Sequence, residues 1–428
     1  MQDRTFKYQR SHFEYQQFVK EKIKNHFIDN GKADIIDKNK ELVVKFWITD
    51  LDKVRDLTQP LYKSINTGIG RTPTDPTCLL RALLLMTQVK ETSITNWTDK
   101  LFSTELFAIL SGFEPTETPG VGTFYDFIDR LWLEKDEPKK AIRKFNAKPR
   151  KKTKNEKVKP KHPGIVLKIA DRIIKSEMAI KASQELSSIN QNSFDFPPEK
   201  LINDIFKWVF VMPSNEKQLL QHDSTTNNNT NIISISADGS LIKSGASHYG
   251  IKICNCKLTK NLPRCDCKRK FSDTKANWGW DSYREIWVYG RTTYQIVASS
   301  SQNDLPIYLK LAQASRHDSV TSLFALRNAK SLYKEFTFSE AQLDSAHDCY
   351  GVYKLLDFYN TEPFINLNEK NKNNFFYQKT SISNDGIPVC NGNFQMIHSG
   401  FCSDRQRIKW RCPLKAKKNS KIILSVYL

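Results

Sequence analysis

The sequence predicts an α + α/β fold, in which a helical N-terminal region precedes a mixed sheet with flanking helices. Three observations support this. Apolar residues recur at helical spacing in the first 135 or so residues, and from residue 231 the period changes to strict alternation in "NIISISAD". Further strands then flank one helix. A chain of 428 residues can form two or three domains, each with its own core.

The N-terminal helices are predicted from their ends. In "RTPTDPTCLLRALLLMTQVKE", Thr74 or Asp75 can cap a helix, and leucines between 79 and 84 form an apolar stripe. A second helix is expected through "SITNWTDKLFSTELFAILSGF", ending near Gly112. A third is expected after Gly122, with Thr123 as its cap.

Composition divides the chain further. Residues 1–135 form the helical region, 136–165 a basic linker, 166–225 a helical connection and 226–428 the sheet domain. The linker includes Arg150, Lys151 and Lys152. Such a run is either a solvated stretch of charge or an arm that lies along phosphates.

The charge favours polyanionic partners. Lys and Arg number 66 against 46 Asp and Glu, a net charge of +20, which suits nucleic acid or an anionic membrane surface. No apolar run approaches the roughly 20 residues that span a bilayer, and the N-terminus lacks the apolar core of a secretory signal. A soluble cytoplasmic protein without membrane partners is therefore expected.

Two predicted strands end in acids. "NIISISAD" ends at Asp238 and "TFSEAQLDSAHD" reaches Asp344, with a hairpin turning near Gly290 and a helix over "SVTSLFALRNAKSLYKEF" between them. A right-handed crossover would make the two strands parallel and bring both acids to one edge of the sheet, from 106 positions apart.

Two adjacent carboxylates imply a bound cation or a shared proton, because they repel each other. Oxygen ligands with a phosphate substrate favour Mg²⁺ or Mn²⁺. In a basic protein, this chemistry indicates cleavage or transfer of nucleic-acid strands. The competing interpretation of Asp238-Gly239 is an ordinary turn.

Four of the nine cysteines cluster in sequence. Cys254, Cys256, Cys265 and Cys267 form two C-x-C pairs separated by eight residues, which could bind one tetrahedral Zn²⁺ in an insertion between strands. The commoner zinc spacing is C-x-x-C, so four reduced thiols near a turn remain the alternative.

The sequence resembles the DDE transposases of bacterial insertion sequences, from about residue 60 to 415. The N-terminal motifs are "RTPTDPTCLLRALLL", "SITNW" and "GFEPTETPGVGTFYDFIDRLW"; the later ones are "ADGS", "CNC" with "CDC", "WGWDSYRE", "DLPIYLKLAQASRHDS", "LDSAHD" and "FINLN". The resemblance implies an RNase H-like catalytic domain. It also implies a homo-oligomer acting on DNA, namely the element's terminal repeats and a target.

Carried over by position, Asp238 resembles the first catalytic acid and Asp344 the second. Asp348, one helical turn later, is the alternative second acid. In "RHDS", Arg316 could reach a DNA phosphate, while Asp318 or Ser319 is expected to cap the following helix.

The family's third acid, a glutamate on a helix after the last strand, has no evident counterpart. Only Glu362 and Glu369 follow Asp344, and the ending "KAKKNSKIILSVYL" resembles nothing in the family, so a truncated copy is expected. Two rival functions stay open: a DNA-binding protein without catalysis that occupies element ends, and an RNase H-like nuclease serving repair.

Overall fold

The chain forms two compact units. The computed structural model describes residues 5–133, 138–149, 164–186, 198–220, 231–259, 265–368, 381–390, 392–402 and 407–413. Unit 1 comprises Met1–Asp136 with Gln191–Leu219, and unit 2 comprises Glu137–Asn190 with Leu220–Leu428. The predicted helical connection over 166–225 is therefore divided between them. Arg150, Lys151 and Lys152 lie outside the described residues.

Both units contain helices. In the described part of the chain these are α1 (His12–Ile23), α2 (Ala33–Lys38), α3 (Lys40–Ile48), α4 (Asp52–Thr58), α5 (Lys63–Thr67), α6 (Pro76–Gln88), α7 (Ile94–Ser103), α8 (Glu105–Ser111), α9 (Val121–Leu131), α10 (Ile165–Leu186), α11 (Lys200–Phe206), α12 (Met212–Glu216), α13 (Cys256–Thr259), α14 (Asp318–Leu332) and α15 (Tyr350–Phe358). Short 3-10 or π-helical stretches cover Lys24–Ile28, Gln59–Leu61, Lys207–Val211 and Ser345–His347.

Unit 1 contains the described N-terminal helices α1–α9 together with α11 and α12. Its core is aromatic at the centre, where Trp97, Phe113, Phe124 and Phe127 are fully buried. Apolar side chains of α11 and the π-helical turn after it, including Val209, pack into the same core. Residues far apart in sequence therefore complete one apolar cluster.

Two of the predicted helices in unit 1 differ from the structure. The helix expected to end near Gly112 is interrupted at Thr104, whose backbone is extended, and it forms α7 and α8; Gly112 does end α8, in the left-handed conformation. The next helix begins at Val121, with Gly120 as its N-cap, so Thr123 lies inside the first turn.

Asp75 fixes the start of α6, as one of the two predicted caps. Its side chain accepts a hydrogen bond from the backbone N–H of Thr77 at 2.8 Å and pairs with the guanidinium of Arg55 at 2.9 Å. The Asp75 side chain is fully buried. The "RTPTDP" motif is thus explained by helix capping and a buried ion pair.

We expect Asp75→Ala to lower the free energy of unfolding by about 3 kcal/mol, because the cap is lost and the half-buried guanidinium of Arg55 keeps only the more distant Asp52, at 3.7 Å, as an acidic partner. Asp75→Asn should cost less, since its amide oxygen can still cap the helix. The measurement is urea denaturation followed by circular dichroism. Asp56→Ala, at an exposed acid on α4, is the control and should change stability by no more than about 0.5 kcal/mol; an equal loss in both variants would contradict the assignment.

Unit 2 contains the sheet. The described strands are β1 (Ile142–Arg143), β2 (Asn231–Lys243), β3 (Ile251–Lys252), β4 (Arg269–Lys270), β5 (Asn277–Asp281), β6 (Ile286–Ala298), β7 (Leu305–Gln313), β8 (Phe336–Leu343), β9 (Glu362–Ile365), β10 (Ser381–Ile382), β11 (Pro388–Val389), β12 (Ile397–Cys402) and β13 (Arg407–Arg411). Strands β1, β4 and β3 form a separate small sheet, and β10–β11 and β12–β13 form two hairpins.

The main sheet has the strand order β7-β6-β2-β8-β9, with β5 extending the same edge of β6. Strand β6 is antiparallel to both β2 and β7, while β8 is parallel to β2 and β9 is parallel to β8. This order confirms the predicted RNase H-like mixed sheet, and the cysteine-bearing insertion lies between β2 and β5. The carboxyl ends of β2, β7, β8 and β9 share one edge.

The hairpin predicted near Gly290 is wrong, because β6 continues through that residue. A Cβ at Gly290 would lie 1.9 Å from the carbonyl oxygen of Ile242, so glycine is needed for close strand approach rather than for a turn. The chain reverses instead between Asp281 and Ile286, where β5 meets β6.

Three helices flank the sheet. Helix α14 contacts β2, β6 and β7, and α10 packs against α14 and α15. Glu177 on α10 pairs with Arg327 on α14 at 2.8 Å, and Asp171 pairs with Lys354 on α15 at 2.6 Å. Among the described helices, none has the length and apolar character needed to cross a membrane.

Candidate active site

The two predicted acids meet at the carboxyl edge of the sheet. Ala237 on β2 and Leu343 on β8 form the last pair of the parallel ladder, and Asp238 and Asp344 directly follow them. Neighbouring strands lie about 5 Å apart, so the two residues are neighbours despite their separation in sequence. Both acids are exposed to solvent.

Asp238 does not end its strand, which corrects the predicted boundary. Strand β2 runs on to Lys243, and from Asp238 onward it pairs only with β6, Asp238 facing Gln295. Asp238-Gly239 is therefore not a turn. The acid lies where the parallel partner β8 turns away and leaves one side of β2 open.

A third carboxylate, that of Asp318, faces the same place. Asp318 is the first residue of α14, and a Cβ added to Gly239 would lie 2.3 Å from its Oδ1 atom. Burial, together with the negative charges of Asp238 and Asp344, raises the pKa of Asp318 to about 6. Only glycine at position 239 leaves room for this carboxylate beside Asp238.

His317, and neither Asp318 nor Ser319, caps α14, so the predicted cap is wrong. The Nδ1 atom of His317 accepts a hydrogen bond from the backbone N–H of Ser319 at 3.3 Å. Because His317 accepts the hydrogen bond from the first turn of α14, the side chain of Asp318 is not needed as a cap. Its carboxylate lies instead against Gly239, next to Asp238.

A signal for Asp318 is present in the sequence. Strand β7 is parallel to β2, so its carboxyl end lies at the same edge, and the helix that follows must start there. An acid in the first turn of that helix is therefore a third candidate ligand.

Buried neighbours orient Asp344. Its Oδ1 accepts hydrogen bonds from the backbone N–H of Ala346 at 3.1 Å and from Nδ1 of His347 at 2.5 Å. Nε2 of His347 lies 2.9 Å from the hydroxyl of Tyr294 on β6, and the His347 and Tyr294 side chains are fully buried. An ionised carboxylate has no hydrogen to give, so Nδ1 donates to Asp344, and Nε2 of the same ring pairs with the Tyr294 hydroxyl.

The remaining acids that follow Asp344 make other contacts or lie on another strand. Both carboxylate oxygens of Asp348 accept hydrogen bonds, from the hydroxyl of Tyr353 at 3.3 Å and from the backbone N–H of Asn368 at 2.9 Å. Glu362 begins β9, opposite Glu340 and three residues short of the carboxyl edge. Glu369 lies outside the described residues.

Arg316 is exposed in the loop between β7 and α14, two residues before Asp318. It is therefore at the same edge of the sheet as the acids.

The donor set suits a hard divalent cation. Three carboxylates in one place repel each other, and this repulsion adds to burial, the larger cause, in raising the pKa of Asp318. Mg²⁺ and Mn²⁺ prefer oxygen ligands and would offset the charge. The residues present therefore fit the magnesium or manganese that the sequence predicts.

The four clustered cysteines meet in the insertion. The Sγ atoms of Cys254 and Cys265 lie 3.4 Å apart, as do those of Cys256 and Cys267. The backbone N–H of Cys256 and the thiol of Cys265 lower the pKa of Cys254 to about 7. Hydrogen bonding among the thiols, with Cys256 first, raises the pKa of Cys267 to about 12.

Comparisons with known proteins find two solved structures that are similar to this chain, both with low TM-scores. No family model and no curated protein matches the chain. It is similar to the crystal structure of the Mos1 strand transfer complex, with 11% identity over 70% of this chain and 79% of that one and a TM-score of 0.18. It is also similar to a pre-cleavage Mos1 transpososome, with 12% identity over 68% and 78% of the two chains and a TM-score of 0.14. At such scores, the fold assignment rests on the strand order above.

The raised pKa of Asp318 predicts a pH dependence of stability. The folded state binds a proton more tightly than the unfolded chain, whose pKa is near 3.8, so stability should fall as pH rises from about 4 through about 6. Asp318→Asn removes this loss and should be more stable than the parent at pH 7.5, by up to roughly 3 kcal/mol. Urea denaturation without divalent ions, at pH 4 and 7.5, measures it.

Asp304→Asn, at an exposed acid in the loop before β7, is the matched control and should show no such difference between the two pH values. Adding Mg²⁺ at pH 7.5 should stabilise the parent more than Asp318→Asn. If the stability difference between Asp318→Asn and the parent is the same at both pH values, the pKa of Asp318 is not raised in the folded protein.

Tyr294→Phe should weaken divalent-ion binding by about tenfold, because His347 loses the hydrogen bond that fixes the ring against Asp344. Mn²⁺ titration followed by electron paramagnetic resonance measures the affinity without requiring turnover. Tyr333→Phe, which removes another buried hydroxyl, bonded to the carbonyl of Ile307, is the control. Equal Mn²⁺ affinities in the two variants would show that the chain from Tyr294 to Asp344 does not position the acid.

Proposed function

We propose that the chain is a DDE-type transposase of a bacterial insertion sequence, cleaving DNA at the ends of its element and transferring the freed strand to target DNA. Asp238 and Asp344 would hold Mg²⁺ or Mn²⁺, with Asp318 as the third carboxylate. Two independent lines support this: the motifs of the sequence and the strand order of unit 2.

The observation that carries the proposal is the end of the parallel ladder at Ala237 and Leu343. Strands β2 and β8 each have an aspartate at the next position, and Asp318 at the start of α14 lies at the same edge of the sheet. Three carboxylates concentrated at one edge of a sheet repel each other, and a bound cation would offset that repulsion.

Divalent ions bound there would supply Lewis acidity, lowering the pKa of an attacking water or hydroxyl and stabilising charge on the phosphate. In cleavage, the oxygen of water attacks phosphorus, the bond from phosphorus to the 3′ oxygen breaks, and that oxygen leaves as a 3′-hydroxyl. In transfer, the 3′-hydroxyl attacks a target phosphate in line and displaces another 3′ oxygen.

The protein's own part is positioning. The backbone N–H of Gly239 contacts Oδ1 of Asp238 at 2.7 Å, and Ala346 with His347 orients Asp344. These contacts leave the outer oxygens of both carboxylates facing solvent, where a cation and DNA approach. The side chains of Tyr294 and His347, which support Asp344 from behind, are fully buried.

Asp318 is the candidate for the third carboxylate, in place of the family's glutamate. The family's glutamate would come from a helix after the last strand, whereas Asp318 comes from the helix before β8. Its carboxylate approaches Asp238 across Gly239. We therefore propose that this chain completes its carboxylate set with Asp318.

The proposed DNA contacts are assigned from the positive charge of the residues and their position in the chain. Arg316 would contact a phosphate beside the acids, and the basic linker residues Arg150, Lys151 and Lys152 would bind DNA outside the site. The DNA partners would be the element's terminal repeats and a target duplex, held by a homo-oligomer of the chain.

The test is cleavage of a duplex carrying the element's end, read from the DNA that flanks the coding sequence. We expect nicking that requires Mg²⁺ or Mn²⁺. Asp238→Asn and Asp344→Asn should each lower the rate roughly 10²- to 10³-fold, the loss typical of removing one group that stabilises charge. Asp318→Asn should reduce cleavage similarly, and Asp304→Asn should cleave like the parent.

DNA binding distinguishes the rival function. Salt-sensitive binding with no cleavage in either metal would favour a DNA-binding protein that occupies element ends, and would overturn the catalytic proposal. Full activity of Asp318→Asn together with inactive Asp238→Asn would retain the transposase and remove only the role of Asp318.

A further inference from the structure

We propose that Cys254, Cys256, Cys265 and Cys267 bind one Zn²⁺ as four thiolates, and that this ion holds together the small sheet formed by β1, β3 and β4. The site is independent of the carboxylates and of the proposed function. It adds a structural metal centre to unit 2.

The sulfur geometry fits one tetrahedral ion. The four Sγ atoms all lie within 4.8 Å of one another, with two pairs at 3.4 Å. A regular tetrahedron with Zn–S bonds of about 2.3 Å has S–S edges of about 3.8 Å. Shifts of well under 1 Å therefore convert the cluster into a coordination site. The paired sulfurs are too far apart for a disulfide, whose S–S bond is about 2.05 Å.

The ligand type selects the metal. Thiolates are soft ligands and favour Zn²⁺ over Mg²⁺ or Ca²⁺, and four protein ligands leave no open position for a substrate. This combination is typical of structural rather than catalytic zinc. The carboxylate edge, with oxygen ligands alone, selects the opposite class of ion.

The two C-x-C pairs lie where the small sheet ends. Cys254 is two residues after β3, and Cys267 is two residues before β4, and these strands pair antiparallel through Ile251 with Lys270 and Lys252 with Arg269. An ion bound by both pairs would close the base of the long loop that joins β3 to β4.

The hairpin needs such a closure because it has little core. Strands β3 and β4 contain two residues each, shorter than strands that are stable by themselves. Ile251, Ile253 and Leu258 are exposed to solvent, by 69%, 52% and 86%. A metal site supplies the stability that apolar burial does not provide here.

The same ion would also stabilise the segment 138–149, which pairs with β4. Strand β1 pairs with the other edge of β4, through Ile142 with Lys270 and Arg143 with Arg269. The ring of Phe145 stacks on Tyr249 with centroids 5.7 Å apart, and the guanidinium of Arg269 lies over Phe145. Loss of the ion should therefore loosen β1 as well as the insertion.

Nearby charges offset the site. Zn²⁺ with four thiolates carries a charge of −2. The basic residues adjacent in sequence to the ligands and strands are Lys252, Lys257, Lys268, Arg269 and Lys270. Their positive charge would offset the negative charge of the occupied site.

The experiment measures metal content and local opening in the full chain. Purified under reducing conditions without chelator, the parent should contain zinc that the double variant Cys256→Ser, Cys265→Ser lacks, a difference of one equivalent by elemental analysis. Co²⁺ substitution should give the intense sulfur-to-metal absorption of a tetrathiolate site. Cys349→Ser, at a cysteine outside the cluster, is the control and should keep its zinc.

Hydrogen exchange tests the structural role. In the double variant, exchange of the backbone amides in β1, β3 and β4 should rise about tenfold or more, while that of β2, β6 and β8 stays unchanged. Chelation of zinc from the parent should give the same pattern, which separates metal loss from misfolding of a variant.

Either of two outcomes would overturn the proposal. The first concerns binding: the parent neither contains zinc nor takes it up anaerobically, for example because its four cysteines form disulfides, or zinc remains in the double variant. The second concerns the structural role: removing zinc leaves hydrogen exchange in β1, β3 and β4 unchanged.

Discussion

The parallel pairing of β2 with β8 is the constraint on which the candidate site depends. It ends at Ala237 and Leu343, and both strands present an aspartate at the next position. The pairing is fixed by burial, because Ile233, Ile235 and Ala237 alternate into the core of the sheet while the residues between them do not. A shift of one residue would expose those side chains and separate the acids.

Around this edge, the fold places groups with opposite requirements. The carboxylates of Asp238 and Asp344 face solvent, whereas Tyr294 and His347 behind them are fully buried. Burial makes the supporting hydrogen bonds rigid, and exposure leaves the acids accessible to a cation and an anionic ligand. Asp318 lies between these two environments, and its raised pKa follows from that position.

Unit 2 thus presents two ligand sets of different chemistry. Three carboxylates gather at the carboxyl edge of a large sheet with a buried core, and four thiols gather beside a small sheet whose strands contain two residues each. The contrast has a physical basis: apolar burial stabilises the large sheet, which can therefore hold repelling charges, whereas the short strands of the insertion bury few apolar side chains of their own.

Local patterns alone determined the elements: the helical spacing that forms α6, the alternation that forms β2, the acids that follow β2 and β8, and the clustered cysteines. Each depends on residues close in sequence, so spacing and capping rules apply directly. The tertiary structure decided the rest. Gly290 could be identified as a close strand contact only with Ile242 in place, and Asp318 became a third carboxylate only when His317 took the cap and α14 packed over Gly239. Such roles depend on neighbours far away in the chain, which local rules do not describe.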